Sequence, residues 1–93
     1  MSIEVLATKY ISSAEKVFAE LKKTASPITL DSLTVDKVLQ WATDYLEDAK
    51  YYKDQGKLET SLTSVAYCEG LLDALRLIGA VNFEWPTTHE KKR

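Results

Sequence analysis

Residues 45–79 read YLEDAKYYKDQGKLETSLTSVAYCEGLLDALRLIG, and the fold class is predicted from the pattern of this stretch. On both sides of Gly56, apolar residues recur every three or four positions, which is the spacing of amphipathic helices. Glycine readily adopts the left-handed backbone that ends a helix. The pattern therefore predicts a tight turn at Gly56 between one helix over residues 34–55 and another over residues 57–79. Helices joined by so short a turn pack as antiparallel neighbours.

Upstream of this pair, the spacing predicts one more helix over residues 3–24. Its apolar residues gather into an arc of about 140° at 100° per residue, and Pro27 disfavours helical geometry in the residue before it. Thr34 is the predicted N-cap of the second helix, with Asp31 and Ser32 as competing candidates. Three helices of similar length predict an all-α fold, an up-down-up three-helix bundle.

The remaining segments fit one small domain. Residues 1–86 are predicted to form it, with the apolar residues of the segment 81–85 docked on the bundle. The polar end, residues 87–93, is predicted to be a disordered tail. This tail contains His89, the one histidine of the chain, which we expect to be solvated and not a ligand or base.

Composition excludes several classes of function. The 93 residues carry a net charge of -2 with both signs interspersed, so no basic field exists to gather phosphates, and nucleic acid is not an expected partner. A further interpretation is that the basic end HEKKR contacts nucleic acid. No apolar run reaches the length of a membrane span and no signal peptide is recognisable, so a cytoplasmic protein is expected. Cys68 is the only cysteine, which excludes an internal disulfide.

The third predicted helix has an unusually wide apolar arc of about 200°, more than a helix packed on one side needs. At its border, Ala66, Gly70 and Ala74 recur every four residues and form a groove of small side chains. Glycine within a helix costs about 1 kcal/mol relative to alanine. Close approach of another helix or an aromatic ring is the expected compensation, in preference to a catalytic role.

Carboxylates border this groove. Glu69 and Asp73 share one face of the helix, and together with Asp48 they are the candidates for a divalent-metal or small-ligand site. Carboxylate-bridged bundles also need glutamate and histidine at i,i+3, and no such pair is present. The default is a solvated stripe in which Asp73 pairs with Arg76. No cofactor is expected, and Cys68 has the position of a buried structural thiol.

The second predicted helix carries an aromatic edge. Trp41, Tyr45 and Tyr52 lie within about 40° of one another, with Asp48 beside them. Aromatic residues with one polar atom suit both the margin of a core and the centre of an interface. Both interpretations remain open, and Tyr51 and Tyr67, which lie outside the main apolar arcs, favour the interface.

The stretch 45–79 resembles the archaeal domain of unknown function family 357. The resemblance rests on Asp48-Ala49 followed by Tyr51-Tyr52, on the turn glycine Gly56, and on Tyr67 with Gly70-Leu71-Leu72-Asp73-Ala74 leading to Gly79. It departs at Lys57, Ser61 and Cys68. The resemblance implies a small up-and-down helical bundle of archaeal source and brings no established activity.

From these observations we expect a non-enzymatic module that binds protein, either as a homodimer with a second copy of itself or by docking a helix on the second or third helix. The alternative is a divalent-metal or small-ligand binding protein or enzyme that uses Asp48, Glu69 and Asp73. The candidate interface residues lie on the second and third helices: Trp41, Tyr45, Asp48, Tyr52, Ala66, Tyr67, Gly70 and Ala74.

Overall fold

A computed structural model describes residues 2–86. It contains three helices, α1 over Ile3–Glu20, α2 over Ser32–Asp54 and α3 over Leu58–Leu77. The described residues include no strand. The all-α prediction is therefore confirmed. The predicted tail 87–93, with His89, lies outside the described residues.

Two glycines end helices as the sequence indicates. Gly56 has a φ of 78° and Gly79 a φ of 82°. After α2, the N–H of Lys57 donates to the carbonyl of Tyr52 over 2.9 Å, and the N–H of Gly56 donates to Lys53 over 3.0 Å. This is the Schellman pattern, in which a left-handed residue lets the chain satisfy the last carbonyls of a helix. The same pattern follows α3 at Gly79.

The start of α2 corrects one prediction. Its N-cap is Asp31, not Thr34, and the Asp31 carboxylate accepts a 2.8 Å hydrogen bond from the N–H of Thr34. That hydrogen bond lowers the pKa of Asp31. A carboxylate is the better cap here because its negative charge also faces the positive end of the helix dipole.

Helices α2 and α3 form an antiparallel hairpin. The hydroxyl of Ser61 donates to the carbonyl of Ala49 over 2.7 Å, and the rings of Tyr45 and Tyr67 lie 4.4 Å apart. The buried residues come from the two facing helices: Ala42, Ala49, Cys68 and Leu75. Small residues on α2 allow the helix backbones to approach closely, which is why the core of the hairpin is thin.

Helix α1 does not take part in that core. No Cα atom of α1 lies within 8 Å of α2 or α3, and α1 has no buried residue. It also ends at Glu20, about one turn earlier than the predicted residue 24. The chain leaves the helix at Leu21, which is extended with ψ of 153°. Helix ends are the parts that fray first, and residues 21–24 are exposed, so no contact holds this last turn in a helix. The antiparallel α2–α3 pair follows the up-down-up order, whereas the apolar arc of α1 faces solvent.

The chain is correspondingly extended. Its radius of gyration is 16.0 Å, against about 12 Å for a compact domain of this length. Within residues 2–86, no helix has both the length and the apolar character that crossing a bilayer requires.

Candidate interaction surface

The two contacts across the hairpin fix which residues lie level with each other. Ala49 faces Ser61 and Tyr45 faces Tyr67, so a step toward the N-terminus on α2 corresponds to a step toward the C-terminus on α3. By this register Trp41 lies level with Gly70. At 1.5 Å per residue, levels along the hairpin can be read directly from residue numbers.

Most of the predicted interface residues share one side of the hairpin. Viewed down the axis of α2, the side chains of Trp41, Tyr45 and Tyr52 are rotated by about 50 to 90° from the side that contacts α3. On α3, Tyr67 and Ala74 lie about 100° round and Gly70 about 150°. The contact between Tyr45 and Tyr67 shows that these two arcs are on the same side. We define the aromatic face of the hairpin by six residues: Trp41, Tyr45, Tyr52, Tyr67, Gly70 and Ala74.

The aromatic face is partly satisfied within the chain and partly open. Tyr45 is half-buried because it packs at a tilt of 34° on Tyr67. Tyr52 is also half-buried and has its ring edge-on to Tyr51. Trp41 remains 54% exposed. Tyr45 therefore lies at the margin of the core, whereas the indole ring of Trp41 is not covered to a comparable extent.

The groove of small residues on α3 is not filled by α2. Ala66, Gly70 and Ala74 are all exposed, and a Cβ atom added at Gly70 would meet no heavy atom within 4 Å. The expected close approach to Gly70 is therefore absent within residues 2–86. Ala66 lies about 190° from the direction of α2, on the outer surface of α3 and not on the aromatic face.

The segment after α3 uses Asp73 as its docking point. The indole Nε1–H of Trp85 donates to Asp73 over 2.8 Å, and Arg76 donates to the same carboxylate oxygen over 3.1 Å. The guanidinium of Arg76 also lies over the ring of Phe83, whose centroid is 5.0 Å from that of Trp85. The predicted docking of this segment is confirmed, and the predicted pairing of Asp73 with Arg76 is present.

The sequence did not point to Trp85 as a partner of Asp73. The two residues are twelve positions apart, and no local periodicity relates a helix to the irregular segment that follows it. The only signal was the apolar and aromatic character of the residues around Phe83. Asp73 lies about 140° round α3 from the direction of α2, on the side opposite to Tyr67. The segment therefore docks on the side of the hairpin away from Tyr67.

The acidic candidates for a metal site do not converge. Asp48 is exposed on α2, level with residues 62–64 of α3, and Asp73 lies about ten residues further along α3, a separation of about 15 Å. Glu69 and Asp73 are half-buried on α3. Within the described chain, no three His, Cys, Asp or Glu side chains are grouped so that they could hold a metal ion.

Cys68 is buried at the contact of the two helices. Burial raises its thiol pKa, and the negative charge of Glu69 adds to the effect. A raised pKa disfavours the thiolate, which is the nucleophilic form. Its position agrees with a structural role.

The chain matches a known protein family. The family model described as protein of unknown function (DUF357) matches residues 9–81. The chain belongs to the DUF357 family. Neither the curated proteins nor the solved structures contain a match to it.

The DUF357 match extends well beyond the stretch that first suggested it. It begins at Lys9, inside α1, and ends at Val81, just after the cap of α3. The family module therefore includes most of α1 together with the hairpin. In this DUF357 chain the apolar arc of α1 is part of the module, so its exposure needs an explanation.

Proposed function

We propose that this chain is a non-enzymatic interaction module that binds protein through apolar surfaces left open by the α2–α3 hairpin and by α1. The observation that carries the proposal is the amount of exposed apolar surface. Phe18 on α1 is 77% exposed, Trp41 on α2 is 54% exposed and Leu77 on α3 is 78% exposed. Single exposed apolar residues are ordinary, whereas contiguous apolar faces mark interaction sites.

The exposed residues of α1 are contiguous. Tyr10, Ile11, Val17 and Phe18 occupy one helical arc, and each is more than half exposed. An amphipathic helix of this length gains little from its intrinsic propensity and needs its apolar face covered to be stable. A protein surface that covers this arc is the simplest explanation for its pattern.

The total surface supports the same function. The chain exposes 8108 Å², whereas a compact monomer of its mass, 10.5 kDa, exposes about 5,400 Å². The excess is about 2,700 Å². This excess contains polar as well as apolar surface, and it leaves room for the roughly 1,000 to 2,500 Å² that each chain of an obligate homodimer buries.

Sedimentation velocity and light scattering at micromolar concentration test this proposal. The expected result is a mass above that of one chain, with a blue shift of Trp41 fluorescence as concentration rises, read in a Trp85→Phe variant because Trp85 is the second tryptophan of the chain. A strict monomer whose Trp41 is already shielded from a soluble quencher would remove the basis of the proposal, since its apolar surfaces would then be covered within one chain.

Divalent-metal or small-ligand binding through Asp48, Glu69 and Asp73 is the competing function. The interaction function has the better support because Asp73 is engaged with Trp85 and Arg76. Titration calorimetry with magnesium, manganese and zinc separates the two. The interaction function predicts no saturable heat, and a one-to-one isotherm abolished by Asp73→Asn would favour the metal function instead.

We also propose that the protein acts in the cytoplasm. The chain has a single cysteine, Cys68, and its thiol is free. A small protein stabilised without disulfides suits a reducing compartment. Expression of a tagged chain in its native cell, followed by fractionation, tests this location.

A further inference from the structure

The geometry points to a specific occupant of the aromatic face: we infer that α1 of a second copy of this chain docks there, so that two chains exchange their α1 helices in a symmetric homodimer. This inference rests on the proposed function and names its partner.

The shapes of the two surfaces match. Helix α1 has 18 residues and α3 has 20, which correspond to about 27 Å and 30 Å. The apolar arc of α1 presents large side chains such as Tyr10 and Phe18. On its α3 side the aromatic face has a notch formed by the small residues Gly70 and Ala74, and Gly70 lies level with Trp41 along the hairpin axis. Large residues on one helix fit beside small residues on the other.

Charge complementarity fixes the direction of the docked helix. The outer edge of α2 on this side carries Lys37, then Asp44 and Asp48, in chain order. One edge of the apolar arc of α1 carries Lys9, then Lys16, then Glu20, whereas the opposite edge carries Glu4 and Glu15.

If α1 lies antiparallel to α2, its Lys9 edge faces α2. One axial position of α1 then brings Lys9 level with Asp48 and close to Asp44, and the same position brings Glu20 level with Lys37. The reversed direction places the Glu4 and Glu15 edge beside the two aspartates, and like charges side by side are unfavourable. The charge pattern therefore selects a helix antiparallel to α2 and parallel to α3, which is the up-down-up order.

Connectivity favours exchange between copies. In this conformation α1 stands apart from its own hairpin, and Leu21 at its end is extended, with ψ of 153°. Both halves of one interface, the arc of α1 and the aromatic face, are consequently open on the same molecule. In a reciprocal exchange, α1 of each chain covers the aromatic face of the other. The assembly closes with two-fold symmetry, so neither surface stays open to bind a third copy.

Three variants of the full chain test the exchange. Phe18→Asp places a carboxylate in the apolar arc of α1, where the native side chain is 77% exposed. Gly70→Glu fills the notch of the aromatic face, and its Cβ meets nothing in the isolated chain. Ala66→Glu is the control, because it adds the same side chain one turn earlier on α3, about 40° further round from the aromatic face than Gly70. Circular dichroism first establishes that all three keep their helices.

Sedimentation of the variants, alone and mixed, gives the result. We expect the wild type and Ala66→Glu to form dimers, and Phe18→Asp and Gly70→Glu to dissociate at least tenfold more readily. Mixing the last two should restore a dimer at a concentration where neither dimerises alone, because the pair retains one intact α1 and one intact aromatic face that belong to different chains.

Different failures have different meanings. A wild-type dimer that Phe18→Asp leaves intact, or a mixture of Phe18→Asp and Gly70→Glu that stays monomeric, overturns the exchange while the proposed interaction function survives. A monomeric wild type with Trp41 shielded overturns both, since α1 would then cover the aromatic face of its own chain.

Discussion

Replacing Gly70 by alanine should stabilise the isolated chain, and the structure supplies the magnitude. Gly70 lies in the interior of α3, its φ is not in the left-handed region, and an added Cβ meets no heavy atom within 4 Å. The change therefore brings the helix-propensity gain of alanine over glycine, about 1 kcal/mol, without a steric penalty. That gain raises the ratio of folded to unfolded chain about fivefold and the melting temperature by about 4 to 8 °C.

Thermal melting followed by circular dichroism at a dilution that keeps the chain monomeric measures this effect. Ala66→Gly is the matched control, because Ala66 is exposed one turn earlier on the same helix. It should lower the melting temperature by a similar amount. A lower melting temperature for Gly70→Ala would show that another part of the same chain packs closely against Gly70, contrary to the open space described here.

Three further substitutions have defined outcomes. Ser61→Ala removes the hydrogen bond to the Ala49 carbonyl and should cost about 0.5 to 1.5 kcal/mol in urea unfolding; no change would mean that water replaces the hydroxyl. Asp73→Asn should weaken the docking of Trp85, seen by NMR as a shift of the Trp85 indole N–H resonance toward that of exposed tryptophan; an unmoved resonance contradicts the docking. Asp31→Ala should lower the melting temperature at pH 7. Because the folded pKa of Asp31 is lowered from 3.8, its contribution is present above that pH and disappears as the pH falls through the folded pKa. A difference between wild type and Asp31→Ala that persists unchanged at pH 2 would contradict this cap.

Local structure followed from local sequence. Gly56 and Gly79 end their helices because the left-handed conformation is nearly free only for glycine, and this preference can be read from one residue. The N-cap of α2 was harder to predict. Asp31, Ser32 and Thr34 all have side chains that can cap a helix, and the choice depends on where the first turn of the backbone forms.

Tertiary placement needed the structure. The apolar arc of α1 predicts that this helix packs against something, but periodicity does not name the partner surface. Likewise, the pattern Ala66, Gly70, Ala74 predicts a groove, but only the buried positions Cys68 and Leu75 show that α2 lies on another side of α3.

The acidic residues illustrate the same limit. Glu69 and Asp73 share a helical face, and this arrangement suggested a shared ion. Their separation from Asp48 depends on the register of the hairpin, which the contact between Tyr45 and Tyr67 establishes. The partner of Asp73 comes from an irregular segment, where side-chain direction does not follow a repeating pattern.

We propose that apolar surfaces of this chain are open for a protein partner, and that a second copy fills them. Sedimentation equilibrium of the wild-type chain across micromolar concentrations tests it most directly. We expect a reversible rise from the mass of one chain, 10.5 kDa, to twice that value. A mass that stays at one chain throughout, with Trp41 inaccessible to quencher, would contradict it.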